Sequence, residues 1–169
     1  SGLTDIDVDN DIAVALAPRF LPITELIGGH DGRPRSHWYY RCDASHTTFA
    51  APGSSKPLVE LRAGAHQTVV APSLHPDGHT YRWYDQQGHP IAEPGEPAEV
   101  PASELCRSVP RLAAAALLAQ CWPKGQRHDV ALAVSGALYR AGWSLDEARR
   151  FLEAVVEGAG DDEVADRLR

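Results

Sequence analysis

The sequence predicts an α+β fold in which a mostly antiparallel sheet is followed by a small all-α domain. Two observations support this fold: strand-like runs dominate residues 1–90, and helical periodicity dominates after residue 110. Glycine, proline, serine and aspartate separate the strand-like runs, as expected for turns between strands. The predicted strands cover Leu3–Asp9, His37–Cys42, Leu58–Arg62, Gln67–Ala71 and Thr80–Asp85.

One helix is predicted among the strands, and the others follow them. Asp11 can cap a helix over Asp11–Ala17, which Pro18 should end. Proline and glutamate are frequent after residue 90, which indicates a linker over residues 91–110 between a core at 1–90 and a helical domain at 111–169. Helices of that domain are predicted over Arg111–Trp122, over His128–Tyr139, from the capping box of Ser144 and Glu147 to about Glu157, and from Asp161 onward.

Composition and charge exclude several classes of protein. The chain has 169 residues, of which 43% are hydrophobic, and a formal net charge of −7. This charge argues against a protein that coats nucleic acid through its overall field. No apolar run is long enough to span a bilayer and no signal sequence is visible, so we expect a cytoplasmic protein without a membrane partner. The three cysteines are odd in number and widely spaced, which argues against a disulfide framework.

Three aspartates alternate near the start of the chain, at Asp5, Asp7 and Asp9. In a strand, residues two apart project from the same face, so the three carboxylates would lie side by side. Such crowding is unfavourable unless a cation or a shared proton lies between the carboxylates. Mg²⁺ and Mn²⁺ prefer oxygen ligands and are the natural candidates. The alternative is a solvated acidic strand end, because Asp-Asn-Asp is also common in turns.

A second segment carries side chains suited to phosphate. Two arginines, Ser36 and His37 lie in Gly32–His37 and lead into an aromatic strand. Arginine recognises phosphate through two hydrogen bonds at once, and serine and histidine donate further ones. The alternative is an exposed basic loop in front of a core strand, with His37 hydrogen-bonded within the sheet.

Two later segments supply further candidates. Glu60 lies among apolar strand residues, where it either faces solvent or joins the aspartates. A proline-rich turn carries Ser73 and His75, and the strand that returns from it carries Arg82. A rival interpretation is a four-ligand zinc site formed by Cys42 and His46 together with His75 and His79.

Taken in order, these motifs resemble the archaeo-eukaryotic primase superfamily, in the bifunctional primase-polymerase (prim-pol) group of phages, plasmids and mobile elements. The resemblance rests on the Asp-x-Asp strand, on Arg35-Ser36-His37, on Glu60 and on the Pro-Ser-x-His-Pro-x-Gly turn over Pro72–Gly78. It matches the family's aspartate pair to Asp7 and Asp9, with Asp5 as a support or a further ligand. The family has a longer stretch before its first acidic motif, which leaves open an N-terminal truncation of the catalytic core.

The resemblance implies an RRM-like catalytic core that performs template-directed nucleotidyl transfer with two Mg²⁺ or Mn²⁺ ions. Its implied partners are nucleoside triphosphates, a single-stranded DNA template with its primer, and a helicase domain in the same full-length protein. Two alternatives stay open: a non-catalytic nucleotide or single-stranded nucleic-acid binding module of a replication initiator, and a metal-dependent nuclease. The implied catalytic residues are Asp7, Asp9, Glu60 and His37, the metal ligands are Asp5, Asp7, Asp9 and Glu60, and the nucleotide-binding residues are Arg35, Ser36, His37, Ser73, His75 and Arg82.

Overall fold

The structure, a computed structural model, describes residues 2–123 and 125–160. Within these residues it contains an eight-stranded sheet and four helices, and all strand pairs but one are antiparallel, which confirms the predicted α+β fold. The strands are β1 Leu3–Val8, β2 Ile27–His30, β3 Arg33–Arg41, β4 Thr47–Ala50, β5 Pro57–Arg62, β6 Tyr81–Tyr84, β7 Pro90–Ile91 and β8 Ala98–Glu99. The helices are α1 Asp11–Phe20, α2 Ala102–Gln120, α3 Arg127–Arg140 and α4 Leu145–Gly158.

The sheet has the order β4-β5-β1-β3-β2-β6-β7, and β8 pairs in parallel with the end of β3. Strand β1 therefore lies between β3 and β5. Alternation along β1 sends Ile6 and Val8 to one face, where both are fully buried, and sends Asp5 and Asp7 to the other. Ile6 and Val8 belong to a hydrophobic core that includes residues of α1, α2 and α4. The helices thus cover one face of the sheet and the aspartates lie on the opposite face.

Helix α1 begins at Asp11 as predicted, but its capping residue and its end differ from the prediction. Its N-cap is Asn10, whose side-chain oxygen accepts hydrogen bonds from the backbone N–H groups of Ile12 and Ala13, both at 3.1 Å. The helix continues through Pro18 to Phe20. A proline removes one N–H from the ladder, yet packing of the apolar side of α1 on the sheet keeps the helix intact. The predicted end at Ala17 was therefore three residues too early.

Helix α2 begins at Ala102, whereas the sequence predicted a helix start at Arg111. The second half of the predicted linker is helical, and Pro110 lies inside the helix. Leu105, Val109 and Leu112 are fully buried, so burial of this apolar side outweighs the local signal of the proline. The division of the chain into two domains stays a prediction, and the hydrophobic core runs across its boundary.

The predicted strand at Gln67–Ala71 does not form. This segment pairs with no strand, and its apolar residues Val69 and Val70 are 41% and 40% exposed. The segment lies over the aspartate side of the sheet, where Tyr39 donates a hydrogen bond to the carbonyl of Val69 at 3.0 Å. The other four predicted strands are present. Three of them shift by one residue at one or both ends, whereas β3 begins at Arg33, four residues before the predicted start at His37.

The C-terminal helices agree better with their sequence signals. Ser144 Oγ accepts a hydrogen bond from the backbone of Glu147 at 3.2 Å, and the Glu147 side chain accepts one from the backbone of Ser144 at 3.1 Å. This reciprocal pair confirms the predicted capping box of α4. The predicted helix at Asp161 lies outside the described residues. None of the described helices has both the length and the apolar character needed to cross a bilayer.

Candidate active site

Three carboxylates meet on the aspartate side of the sheet. The antiparallel register of β1 and β5 sets Asp7 directly opposite Glu60, and residues opposite each other share a face. Asp9 follows the end of β1 and adds a third carboxylate. One oxygen from each of the three side chains lies within 4.8 Å of the other two. The structure therefore brings together three of the four predicted metal ligands.

The fourth predicted ligand, Asp5, contacts other side chains instead of the three carboxylates. Its Oδ2 accepts a hydrogen bond from Nδ1 of His37 at 2.9 Å and another from the hydroxyl of Thr68. Asp5 is only 2% exposed, and its Oδ1 has no hydrogen-bond partner among the described residues. Asp5 is absent from the group of carboxylates that could share a cation. It instead holds the histidine of the neighbouring strand.

His37 lies beside these carboxylates, directly opposite Asp7 in the register of β1 and β3. Its Nδ1 is 3.7 Å from Oδ1 of Asp7, and the residue is 5% exposed. Burial on its own lowers the pKa of His37, but the hydrogen bond to Asp5 and the charges of Asp5 and Asp7 outweigh burial, so the pKa is raised. The structure thus favours an imidazolium among the acids.

The surroundings of Asp7 disfavour its ionised form. Burial, the largest cause, and the charges of Asp9 and Asp5 raise the pKa of Asp7, those of His37 and Arg62 lower it, and the net result is a rise from 3.8 to about 6. An ionised Asp7 is therefore costly near neutral pH unless more positive charge is close. Three oxygen ligands of this kind fit the preferences of Mg²⁺ and Mn²⁺.

Arg62 supplies part of that positive charge, although no role was predicted for it. Its guanidinium lies 2.5 Å from Oδ2 of Asp7 and 2.7 Å from Oε2 of Glu60, so it bridges the two carboxylates. Thr48 also donates to Glu60 at 3.0 Å. Burial raises and these hydrogen bonds lower the pKa of Glu60, with a net lowering. The signal was available, because Arg62 follows Glu60 by two residues and therefore shares its face. Asp5, Asp7, His37, Glu60 and Arg62 form what we call the acidic face.

The predicted phosphate-binding segment is only partly on this face. Arg35 adopts a positive φ of 57°, and its guanidinium donates to the carbonyl of Gln86 at 2.8 Å, away from the carboxylates. Ser36 is 3% exposed and, by alternation, shares the core side of Trp38. Arg33 lies nearer the acids instead, with its guanidinium 3.2 Å from Asp11 at the start of α1 and 3.8 Å from Asp9.

A β-bulge explains the exchange of Arg33 for Arg35. The pairing of β2 with β3 shifts register between Gly28 and His30. At Gly29 an added Cβ would lie 2.5 Å from the carbonyl oxygen of Arg33, so only glycine permits this close approach. A bulge breaks the alternation of a strand and redirects its side chains. No local motif in Arg33–His37 predicts this bulge.

His75 is near the acidic face, together with two histidines that were not predicted there. The ring of His30 stacks on those of His75 and His79, each at 5.2 Å between centroids. Tyr81 lies 5.8 Å from His75 and 5.6 Å from His37, and so connects this cluster to the acidic face. Burial, with the charges of His75 and His79, lowers the pKa of His30.

The remaining predicted residues lie elsewhere. Arg82 alternates with Tyr81 and pairs with Asp31 at 3.3 Å, on the other side of the sheet. Ser73 is exposed in the turn, where its carbonyl accepts a hydrogen bond from Tyr81 N–H at 2.8 Å. The rival zinc site is not assembled, since Cys42 belongs to the hydrophobic core.

Clustered carboxylates beside cationic side chains are typical of enzymes that act on phosphate esters. A family model described as bifunctional DNA primase/polymerase, N-terminal, matches residues 1–103, which is more than half of the chain. The chain therefore belongs to this family. Membership supports a general DNA primase/polymerase activity, that is, a nucleotidyltransferase acting on nucleotides and DNA. No curated protein and no solved structure matched the chain.

Proposed function

We propose that this domain performs template-directed nucleotidyl transfer with two divalent ions held by Asp7, Asp9 and Glu60. The observation that carries the proposal is the meeting of these three carboxylates from two strands, within 4.8 Å of one another. Bound Mg²⁺ or Mn²⁺ would activate a primer 3′-hydroxyl and neutralise charge on the leaving pyrophosphate. A helicase domain in the same full-length protein is a further part of the proposal and rests on the family resemblance.

His37 is proposed to bind the incoming triphosphate. Its Nδ1 is engaged by Asp5 at 2.9 Å, which leaves Nε2 as the nitrogen that can donate to a phosphate oxygen. A donor that carries positive charge makes the stronger hydrogen bond to phosphate, and the raised pKa of His37 favours this charged form. Asp5 then acts as a positioning residue, because it fixes the ring orientation and the charge of His37.

Arg33 adds positive charge on this side of the site, and the rings of His30 and His75 lie beyond it. Arg33 lies within ion-pair distance of Asp9, and the histidines connect to His37 through Tyr81. We assign the triphosphate grip to His37, Arg33 and His75 rather than to Arg35, whose guanidinium is engaged by the turn at Gln86. Positioning and charge neutralisation are the main means by which a site of this kind accelerates phosphoryl transfer.

The test is primer synthesis and primer extension by the double variant Asp7→Ala/Asp9→Ala. We expect a loss of at least about a thousandfold, since both metal-ligand positions are removed. The matched control is Asp129→Ala/Asp146→Ala, which removes two exposed aspartates of α3 and α4 and the same charge. Undiminished synthesis by the first variant would exclude the proposed role of the carboxylates.

One observation favours a second candidate, a nucleotide or single-stranded DNA binding module without turnover. Arg62 already neutralises Asp7 and Glu60, so a divalent cation must compete with its guanidinium. If the guanidinium keeps the divalent ion out, the site retains affinity for nucleotides but lacks catalysis. Nucleotide binding in the presence of Mn²⁺, with no primer synthesis or extension on any DNA template, would support this candidate over the first.

A further inference from the structure

A pocket lies in the helical layer, on the side of the sheet away from the acidic face. It has a volume of about 480 Å³ and is formed by the end of α1, the first half of α2, the start of α4 and Trp143. A neighbouring cavity of about 330 Å³ shares Arg107, Arg111, Trp143 and Phe151 with it. Pockets that bind small molecules commonly have volumes of about 300–1,000 Å³.

Positive charge exceeds negative charge around this pocket. Arg19, Arg107, Arg111 and Arg150 line it, against Glu104 and Glu147. Arg111 is committed, because it pairs with Glu147 at 3.2 Å and stacks on the ring of Trp143 at 3.8 Å.

Two of the four arginines at the pocket are not engaged in an ion pair with a described residue. Arg19 pairs with Glu157 and with Glu153. Arg107 and Arg150 form no ion pair with any residue that the structure describes. Both arginines are exposed, and Glu104 of the same lining is likewise without an ion pair among the described residues, so the unpaired groups leave a net positive charge that suits an anionic ligand.

A buried hydroxyl points to the same chemistry. Ser108 lines the pocket and is 9% exposed, and its Oγ has no hydrogen-bond partner within the described residues. A helical serine ordinarily satisfies its hydroxyl with the carbonyl one turn earlier, or with water at the surface. A buried hydroxyl without a partner is costly, and a ligand oxygen in the pocket would remove that cost.

We propose that this pocket binds a phosphate group, from a nucleotide or from the backbone of single-stranded DNA. A phosphate group has at least two non-bridging oxygens, each able to accept more than one hydrogen bond, which is enough for Arg107, Arg150 and the Ser108 hydroxyl together. Phe20, Trp143 and Phe151 provide apolar surface for the rest of a nucleotide. The site shares no residue with the acidic face, so it stands independently of the proposed catalysis.

The experiment follows the indole N–H signal of Trp143 in the ¹⁵N-labelled chain, identified by its absence in Trp143→Phe. Inorganic phosphate, a deoxynucleoside triphosphate and a short single-stranded oligonucleotide are titrated separately without divalent ions. A response to the nucleotide and not to the oligonucleotide identifies the free nucleotide as the source, and the reverse identifies the DNA backbone. Both results support the proposal. The proposal is overturned if none of the three ligands shifts the Trp143 signal. It is also overturned if a polyglutamate peptide, titrated in the same way, is the only ligand that shifts it.

Variants separate this site from the catalytic one. Arg107→Ala/Arg150→Ala should lower the affinity for the titrated ligand at least about a hundredfold, since each charge-assisted hydrogen bond accounts for roughly a tenfold change in affinity. The control Arg140→Ala/Arg149→Ala removes the same charge from α3 and α4 outside the pocket and should bind as the parent does. Asp7→Ala/Asp9→Ala should also bind normally, even where synthesis is lost. Equal binding by the Arg107→Ala/Arg150→Ala variant and its control would overturn the proposal.

Ser108→Ala provides a second, milder test. It removes the hydroxyl without removing charge, and alanine is well suited to a helix, so the melting temperature should not fall. Phosphate affinity should fall by roughly five- to tenfold if the hydroxyl contacts the ligand. Unchanged affinity in a stably folded Ser108→Ala would remove the hydroxyl from the proposed site and overturn the assignment of three donors.

Discussion

Asp5 accepts a hydrogen bond from Nδ1 of His37 at 2.9 Å, although the two residues are not opposite each other in the sheet. The register sets Asp5 against Tyr39 and His37 against Asp7, so the contact is diagonal between β1 and β3. This diagonal contact takes the first aspartate of the motif out of the metal group and gives it to the histidine. The three aspartates of the motif therefore have different surroundings: Asp5 contacts His37, and Asp7 and Asp9 lie close to Glu60.

Asp5→Asn tests this positioning role. The asparagine keeps the shape but removes the charge that raises the pKa of His37, so that pKa should fall. The folded-state pKa of His37 lies above its unfolded value, so the interaction stabilises the fold below the unfolded value of about 6.5 and is lost as pH rises through the folded value. NMR titration of the His37 ring and urea unfolding at pH 5.5 and pH 8.5 measure both effects.

The variant should also lose primer extension, mainly through a raised KM for nucleotides. Asp43→Asn, which changes an exposed aspartate in the loop after β3 and outside the acidic face, is the control. An unchanged pKa for His37 in Asp5→Asn would contradict the electrostatic account.

The raised pKa of Asp7 predicts a pH-dependent response to Mn²⁺. Its folded-state pKa is about 6 against an ordinary 3.8, so the folded state holds its proton more tightly and loses stability as pH rises between these values. A shift of this size corresponds to roughly 3 kcal/mol as an upper limit. A cation bound to the carboxylates should recover part of it.

Thermal unfolding with and without Mn²⁺ measures the effect. The increase in melting temperature should be larger at pH 7.5 than at pH 5, where protons compete for Asp7. Asp7→Asn should abolish most of the increase, whereas Asp129→Asn should leave it intact. An increase of equal size at the two pH values would argue against Asp7 as a ligand.

Much of the site could be predicted because strand alternation and register are local rules. Asp7, Asp9 and Glu60 were assigned from spacing and from family order, and alternation in β1 and β5 is what brings them together. The same rule would have found Arg62, two residues after Glu60. It was missed because a strand-end arginine is ordinarily solvated.

Other features depended on tertiary structure. Arg35 leaves the acidic face because of a bulge that a glycine on the neighbouring strand permits. Helices α1 and α2 run through Pro18 and Pro110 because burial of their apolar sides compensates for the lost hydrogen bonds. The segment Gln67–Ala71 has a strand-like composition but finds no strand to pair with. Local composition does not encode such partners.

Arg62→Gln tests the competition between an internal and an external cation. Without divalent ions the variant should be less stable by about 1–3 kcal/mol, because two partly buried carboxylates lose their shared partner. Its affinity for Mn²⁺ should rise, since the guanidinium no longer occupies the carboxylate oxygens. Urea unfolding and Mn²⁺ titration measure the two effects, and Arg62→Lys should show both more weakly.

The change in primer extension by Arg62→Gln separates two roles for this arginine. If Arg62 suppresses catalysis, Arg62→Gln should gain primer extension. If Arg62 takes part in catalysis, the variant should bind Mn²⁺ more tightly and yet lose activity. A variant with unchanged Mn²⁺ affinity would show that the arginine does not compete with the ion.

Arg33 and Arg35 form a matched pair that tests which arginine serves the nucleotide. Arg33 lies 3.8 Å from Asp9 at the site, and Arg35 donates to the turn carbonyl of Gln86. Arg33→Ala should raise the KM for nucleotides roughly tenfold with little change in stability, since a surface ion pair contributes little to folding. Arg35→Gly should leave KM unchanged, because glycine accepts the positive φ at this position. Steady-state primer extension measures the KM for nucleotides in both variants. A KM raised in Arg35→Gly but not in Arg33→Ala would assign the triphosphate contact to Arg35, as the sequence motif first indicated.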